Sequence, residues 1–224
     1  MFNKYIKVNP KIINALENKK PIVALESTLI SHGLPYPENI KVANESIKAV
    51  EESGSIAATI GIINGEIKIG LENKDIEILA TSTNVQKVSL HNIALSLFNK
   101  ENAATTVATS INIASKIGIS FFATGGIGGV HLGSEKNNDI STDLTELSRS
   151  RMFVVSSGAK SILDLEKTFE KLETYGIPRI SYNSDFMPGF WYEETKFKVD
   201  QNFKNIIDIS DYLKIIKDLK HKSS

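Results

Sequence analysis

The chain contains no cysteine. That excludes disulfides, thiolate nucleophiles and zinc sites built on sulfur. It also carries no net charge, with 26 basic residues set against 26 acidic ones. No broad field draws it to nucleic acid or to a membrane surface, so an anionic ligand must be met by a local site. No apolar run approaches the roughly 20 residues that a membrane span requires, and the first residues lack the pattern of a secretory signal. A cytoplasmic protein is expected, with a small-molecule partner and neither nucleic acid nor membrane. What is present is 224 residues at 41% hydrophobic content, enough to bury one good core. No linker, repeat or low-complexity segment interrupts it, so residues 1–224 are expected to form a single domain.

The stretch FFATGGIGGVHLGSEKNNDISTD, Phe121 to Asp143, is the most informative. Ile119 to Ala123 reads as a buried strand of a parallel sheet. Gly125, Gly126, Gly128 and Gly129 follow, and such a loop is expected to leave backbone N–H groups bare for an anion such as phosphate. A tight turn without a ligand is the competing reading of these glycines. Neither common phosphate fingerprint fits. His131 occupies the last glycine position of G-x-G-x-x-G counted from Gly126, and Ala159 replaces the glycine before Lys160 that a P-loop needs. Asp139, Ser141 and Asp143 then alternate at a helix start. One of them is expected to cap it, while two carboxylates and a hydroxyl also offer hard oxygen ligands to a divalent ion of the Mg or Mn kind.

In chain order, Asn9-Pro10 predicts a helix as cap and first residue. Ile22 to Leu25 reads as a strand with Glu26 at its C-terminal end, the edge where open α/β sheets place ligands. Partial burial there raises a carboxyl pKa and makes a general acid. Structural hydrogen bonds to Ser27 or Thr28 are an equal alternative, and His32 reads as a loop residue. Pro37 to Glu52 predicts a helix ended by Gly54. Asn64-Gly65 predicts a type I′ hairpin between 57–63 and 66–71. A short helix over 74–80 precedes a strand over 85–89 from which Lys87 protrudes. Ala103 to Ser115 reads as a helix of small residues, and Met152 to Val155 as a buried strand. Lys160 is placed in the first turn of the next helix, where the dipole lowers an amine pKa, with Asp164 as an ion-pair alternative. Arg179 to Tyr182 reads as a last core strand, Asp185 to Tyr192 as an aromatic loop, and 208–219 as an amphipathic helix with Ile209, Leu213 and Ile216 inward.

The segments PIVALESTLISHG, AATIGIINGEIKIGL, AATTVATS, FFATGGIGGVH, DISTDL and SSGAKSILDL followed by ETYGIP run in order along nearly the whole chain. Together they resemble the pseudouridine-5′-phosphate glycosidases. The resemblance implies a three-layer α/β/α sandwich with a mixed, mostly parallel sheet, a homotrimer and a Mn-type ion. It implies reversible cleavage of pseudouridine 5′-phosphate to uracil and ribose 5-phosphate. By the same resemblance Lys160 is the nucleophile that forms a sugar imine, Glu26 the proton donor and Asp139 the metal ligand. Lys87, Val107, Ser141, Thr142 and Asp143 fall at substrate-binding positions. Thr124 and His131 join them from their place in the loop.

Departures from the family pattern carry consequences. Leu90-His91-Asn92 stands where relatives typically have Arg-Arg-Asp, Leu132 and Glu193 stand where arginine is common, and Thr142 replaces an alanine. Each lost or reversed charge weakens anion binding. Relatives also continue into a further C-terminal segment that this sequence does not contain. A sugar-phosphate-binding remnant without turnover is therefore the alternative function, and an aldolase-like lyase or sugar-phosphate isomerase using the same lysine a more distant one.

Overall fold

Local signals govern the first half of the chain. The computed structural model describes residues 4–219, and these form two units that part between Ala123 and Thr124. The first opens with β1 (Ile6–Val8) and α1 (Pro10–Glu17). As predicted, the Asn9 side chain accepts from the Lys11 N–H and Pro10 leads the helix, where its missing N–H costs nothing. β2 (Ile22–Leu25) follows, then a single wide turn over Leu29–Gly33 that contains His32. α2 (Glu38–Glu52) stops as expected before Gly54, whose φ is 83°. β3 (Ile56–Ile63) and β4 (Glu66–Ile69) form the hairpin, with φ of 50° at Asn64 and 73° at Gly65. Both central residues are left-handed, as a type I′ turn demands.

α3 (Asn73–Thr81), β5 (Gln86–Val88), α4 (Ile93–Phe98), β6 (Ala103–Thr105), α5 (Val107–Lys116) and β7 (Phe121–Thr124) complete this part of the chain. β3 is long enough to serve several partners. Its first half pairs with β2 in parallel; its second half pairs antiparallel with both β4 and β6. β1 with β4, β2 with β7 and β5 with β6 are parallel, so the sheet is mixed and mostly parallel, as anticipated. Ile60, Ile62, Ile69 and Phe122 are fully buried in it. Ile30, Ala43, Ile63, Ile76 and Leu79 cluster between the sheet and the helices.

The reading of Ala103 to Ser115 as one helix is corrected. Ala103–Thr105 is a strand held by β3 and β5, and Thr106 caps a helix that begins at Val107. Alanine favours helix in isolation, but residues with no exposure and ladder partners on both edges follow tertiary pairing instead.

The second unit carries α6 (Ser134–Asn137), α7 (Thr142–Leu147), β8 (Phe153–Ser156), α8 (Leu165–Thr174), β9 (Ile180–Tyr182), β10 (Gln201–Phe203) and α9 (Ile206–Asp218). Leu144, Leu147, Met152, Phe169 and Leu172 form its buried interior, and the Phe169 and Phe197 rings meet edge to face at 5.0 Å. β9 corrects the expectation of a last core strand. It pairs in parallel with β10 alone, in a sheet of two strands, and none of its residues is fully buried. On α9, Ile209, Leu213 and Ile216 are half-buried, so that face is turned inward but not sealed.

A two-stranded sheet is marginal by itself, and one ion pair closes its base. Arg179 donates from Nη2 to Asp200 Oδ1 at 2.6 Å, and from Nε and its backbone N–H to Oδ2 at 3.2 and 2.8 Å. Burial acts to raise the Asp200 carboxyl, but the Arg179 hydrogen bonds and charge outweigh it and hold the group below the usual carboxylate range. A carboxylate with a depressed folded-state pKa contributes stability that is present above its unfolded value of about 3.9 and lost as pH falls through the folded value. Asp200→Asn is therefore expected to lower the unfolding temperature at neutral pH and to flatten its fall between about pH 5 and 3. Thermal melts across that window check both.

Candidate functional site

In the first unit the expected residues gather at neighbouring strand ends. Glu26 is half-buried just after β2. The next residue, Ser27, has no exposure, and its Oγ accepts the Thr105 N–H at 2.9 Å. Thr28 Oγ1 donates to the Thr105 carbonyl at 2.8 Å. Lys87 lies exposed on β5 in register with Ala104 of β6, and Val107, 1% exposed, is the first residue of α5. Both are fixed through Val88, whose carbonyl accepts from the Thr106 N–H at 3.1 Å and from Thr109 Oγ1 at 3.0 Å. Asn92, which stands at the aspartate position of the expected Arg-Arg-Asp run, receives the Ser89 N–H on Oδ1 and donates to the Lys87 carbonyl.

In the second unit the glycine loop differs from the expected open cradle. Its amides are largely spoken for within the protein: Ile127 N–H donates to the Gly158 carbonyl, Gly128 N–H to Asp143 Oδ2 at 2.8 Å, and Val130 N–H to Thr168 Oγ1 at 2.9 Å. Gly126 N–H faces Thr124 Oγ1 at 3.4 Å. At Gly126, Gly128 and Gly129 the space of a missing Cβ is filled by other side chains. A Cβ on Gly126 would lie 2.6 Å from the Phe190 ring; on Gly128 it would collide with Ser141 Oγ and stand 2.8 Å from Asp143 Oδ2; on Gly129 it would lie 2.5 Å from Thr168. The sequence offered no sign of Thr168, 38 residues from its partner, and showed Phe190 only as part of an aromatic loop. Phe190 holds φ at 68°, unusual for a bulky residue, and its N–H donates to the Ser157 carbonyl.

Ser141 proves to be the cap of α7, accepting the Asp143 N–H at 3.2 Å. Thr142 is half-exposed beside it, and Asp143 is 5% exposed. His131 and Thr124 are half-buried along the loop. Asp139 is exposed, its carbonyl accepting the His131 N–H at 3.0 Å and its own N–H donating to Asn137 Oδ1. Among the described residues no three His, Asp or Glu side chains converge. A lone exposed carboxylate of this kind suits a hard ion that keeps waters and takes ligand phosphate oxygens, as Mg and Mn do. Leu132 is 70% exposed and Glu193 also faces solvent, so neither replacement of arginine is compensated by burial.

Lys160 does not stand in a helix. α8 begins at Leu165 with Asp164 as its cap, and Asp164 pairs with Lys167 at 3.1 Å rather than with Lys160. Bridges from Ile127 to Ala159 and from Gly158 to Gly189 keep this segment out of a helix. The Lys160 N–H donates to the Ile127 carbonyl at 3.0 Å, and the side chain is half-buried. The helix-dipole argument thus falls away. What holds this lysine is the glycine loop.

A family profile described as indigoidine synthase A like protein matches residues 11–224. The chain belongs to that family. It is 50% identical over 208 residues to a pseudouridine-5′-phosphate glycosidase of Staphylococcus aureus, covering 93% of this chain and 68% of the relative. It is 46% identical over 211 residues to the enzyme of the same name from Geobacillus kaustophilus, covering 94% of this chain and 70% of that one. Among solved structures it matches the prealnumycin C-glycosynthase AlnA in complex with ribulose 5-phosphate, at a TM-score of 0.91 and 36% identity over 99% of this chain and 72% of that one. An indigoidine synthase A-like protein from Thermotoga maritima gives a TM-score of 0.89 at 34% identity, over 100% and 73% of the two chains. The α/β/α class with a mixed sheet therefore holds for this indigoidine synthase A-like chain.

Side-chain packing onto the loop gives a contrast within one residue type. Gly128→Ala is expected to destabilise by about 2 kcal/mol or more, since its methyl displaces both the Ser141 cap and the buried Asp143. Gly118→Ala, where nothing lies within 4 Å and φ is 89°, is expected to cost only the backbone term, about 1 kcal/mol. Denaturant unfolding of the two variants checks the order.

Proposed function

We propose that this chain reversibly cleaves the carbon–carbon glycosidic bond of pseudouridine 5′-phosphate, giving uracil and ribose 5-phosphate through an imine on Lys160. The observation that carries this reading is 50% identity over 93% of the chain to a glycosidase of that substrate. The ribulose 5-phosphate held by a structural relative supports a sugar phosphate as ligand.

The bond to be broken has no heteroatom to leave, so electrons must have somewhere to go on each side. Attack of the neutral Lys160 amine on C1′ expels the ring oxygen, and Glu26 delivers the proton that this oxygen needs. The added amine loses a proton, and protonation of uracil C5 makes that carbon tetrahedral. The amine nitrogen then donates its lone pair to C1′ as the C1′–C5 bond breaks, the bond electrons restoring the uracil C5=C6 double bond, so that uracil leaves and a C1′ imine remains, which water hydrolyses to ribose 5-phosphate and free lysine. Glu26 is assigned as proton donor because it is a half-buried carboxyl at a strand end. Lys87, Val107, Thr124, His131, Ser141, Thr142 and Asp143 are assigned to holding the substrate. The backbone of the glycine loop fixes Lys160 in place, and it does so with bonds that do not compete for the amine. A divalent ion of the Mn or Mg class would be held by Asp139, where it supplies charge to the phosphate or sugar oxygens. The assembly is proposed to be a homotrimer in the cytoplasm.

Incubation with ribose 5-phosphate and borohydride is expected to place the reduced sugar on Lys160, read by peptide mass spectrometry. Lys160→Ala should abolish both the adduct and uracil release; labelling undiminished in that variant would overturn the mechanism. Chelation of divalent ions is expected to stop turnover while barely moving the thermal melt without substrate. A large loss of stability would instead mark a structural ion.

A further inference from the structure

The hydroxyl groups of the first unit form a network centred on a residue that the proposed chemistry does not use. Thr105, with no exposure, ends β6. Its Oγ1 donates to the Ile60 carbonyl at 2.7 Å, because that carbonyl can only accept. With its hydrogen spent there, Thr105 Oγ1 accepts from Ser110 Oγ at 2.8 Å and faces Ser27 Oγ at 3.4 Å. The Thr105 main chain grips Ser27 and Thr28 on one side. On the other side it pairs through the β5–β6 register with Val88, beside Lys87. Ser110 lies one turn into α5, the helix that Val107 begins.

We infer that Thr105 is a positioning residue that sets Glu26, Lys87 and Val107 in mutual register through Ser27, Val88 and Ser110. The inference rests on the proposed function for the roles of those three residues. Each of the three segments ends beside Thr105 and is tied to it by a buried contact rather than by a flexible charged side chain. Ser27 immediately follows Glu26, so any shift of the Ser27 anchor rotates the backbone that carries the carboxyl. Displacement of Glu26 acts on the step in which the proton is delivered, because misplacement of a reacting group by about 1 Å costs on the order of 100-fold in rate, and displacement of Lys87 or Val107 acts on substrate holding and is read in KM.

The test compares Thr105→Val, which keeps the shape and removes the hydroxyl, with Thr105→Ser, which restores it, and with Ile111→Val, a core change on the same helix. Measurements are kcat and KM for pseudouridine 5′-phosphate, the yield of borohydride-trapped adduct on Lys160, and the melting temperature of each variant. Thr105→Val is expected to lower kcat by about tenfold or more, a larger change than any rise in KM, with the adduct yield retained. Thr105→Ser should recover most of kcat, and Ile111→Val should keep it despite a lowered melting temperature. A Thr105→Val variant that keeps its kcat, or loses it only in proportion to stability as Ile111→Val does, overturns the positioning role while leaving the proposed function standing. A wild-type chain that neither traps an adduct nor releases uracil overturns the functional reading and the role of Thr105 with it.

Discussion

The second unit depends on how closely side chains approach the backbone of the glycine loop. Ser141, Asp143, Thr168 and Phe190 occupy space that any Cβ at Gly126, Gly128 or Gly129 would claim. This contact is worth more than its area, because it satisfies buried donors that would otherwise each cost about 1–3 kcal/mol. The amides at Ile127, Gly128 and Val130 are accordingly engaged within the protein. On the proposed function, the charge lost at Leu132 and Glu193, both exposed, weakens recognition of a substrate phosphate.

Much of the first unit was legible because its signals are local. Asn9-Pro10 and Asn64-Gly65 specify a cap and a turn whatever surrounds them, and both stand where the sequence puts them. Ala103–Thr105 was not legible, since alanine carries a helical preference and only β3 and β5 reveal the strand. The segment around Lys160 failed for the same reason. Its partners Ile127 and Gly189 lie about 30 residues away in either direction, whereas Ile162 and Phe169 nearby are spaced as two full turns of a helix would space them. β9 shows the converse error: a segment read as a core strand pairs, among the described residues, with β10 alone.

The assignment of site residues rests on long matching segments, not on short spacing rules. The dinucleotide and P-loop patterns both fail in this chain. The Gly128 and Val130 amides, satisfied by Asp143 and Thr168, do not form the bare cradle that either pattern describes. Ser141 illustrates how one residue accommodates two readings: it caps α7 with its Oγ and still stands at a position assigned to substrate.

Neutral anchoring has a consequence for an amine nucleophile. A carboxylate beside a lysine favours the ammonium form, which has no lone pair to donate. Asp164 is the nearest acid in sequence after Lys160, but the Lys167 N–H, opposed by burial and aided by the Lys167 side chain, keeps it below the usual carboxylate range and engaged elsewhere. Lys160 is instead held by its backbone N–H on the Ile127 carbonyl. Glu26 is followed by an anchor of the same kind, since Ser27 meets Thr105 through a hydroxyl and an amide. The backbone bond thus orders Lys160 without adding a charge of its own beside the amine to which the proposed function gives the nucleophile's role.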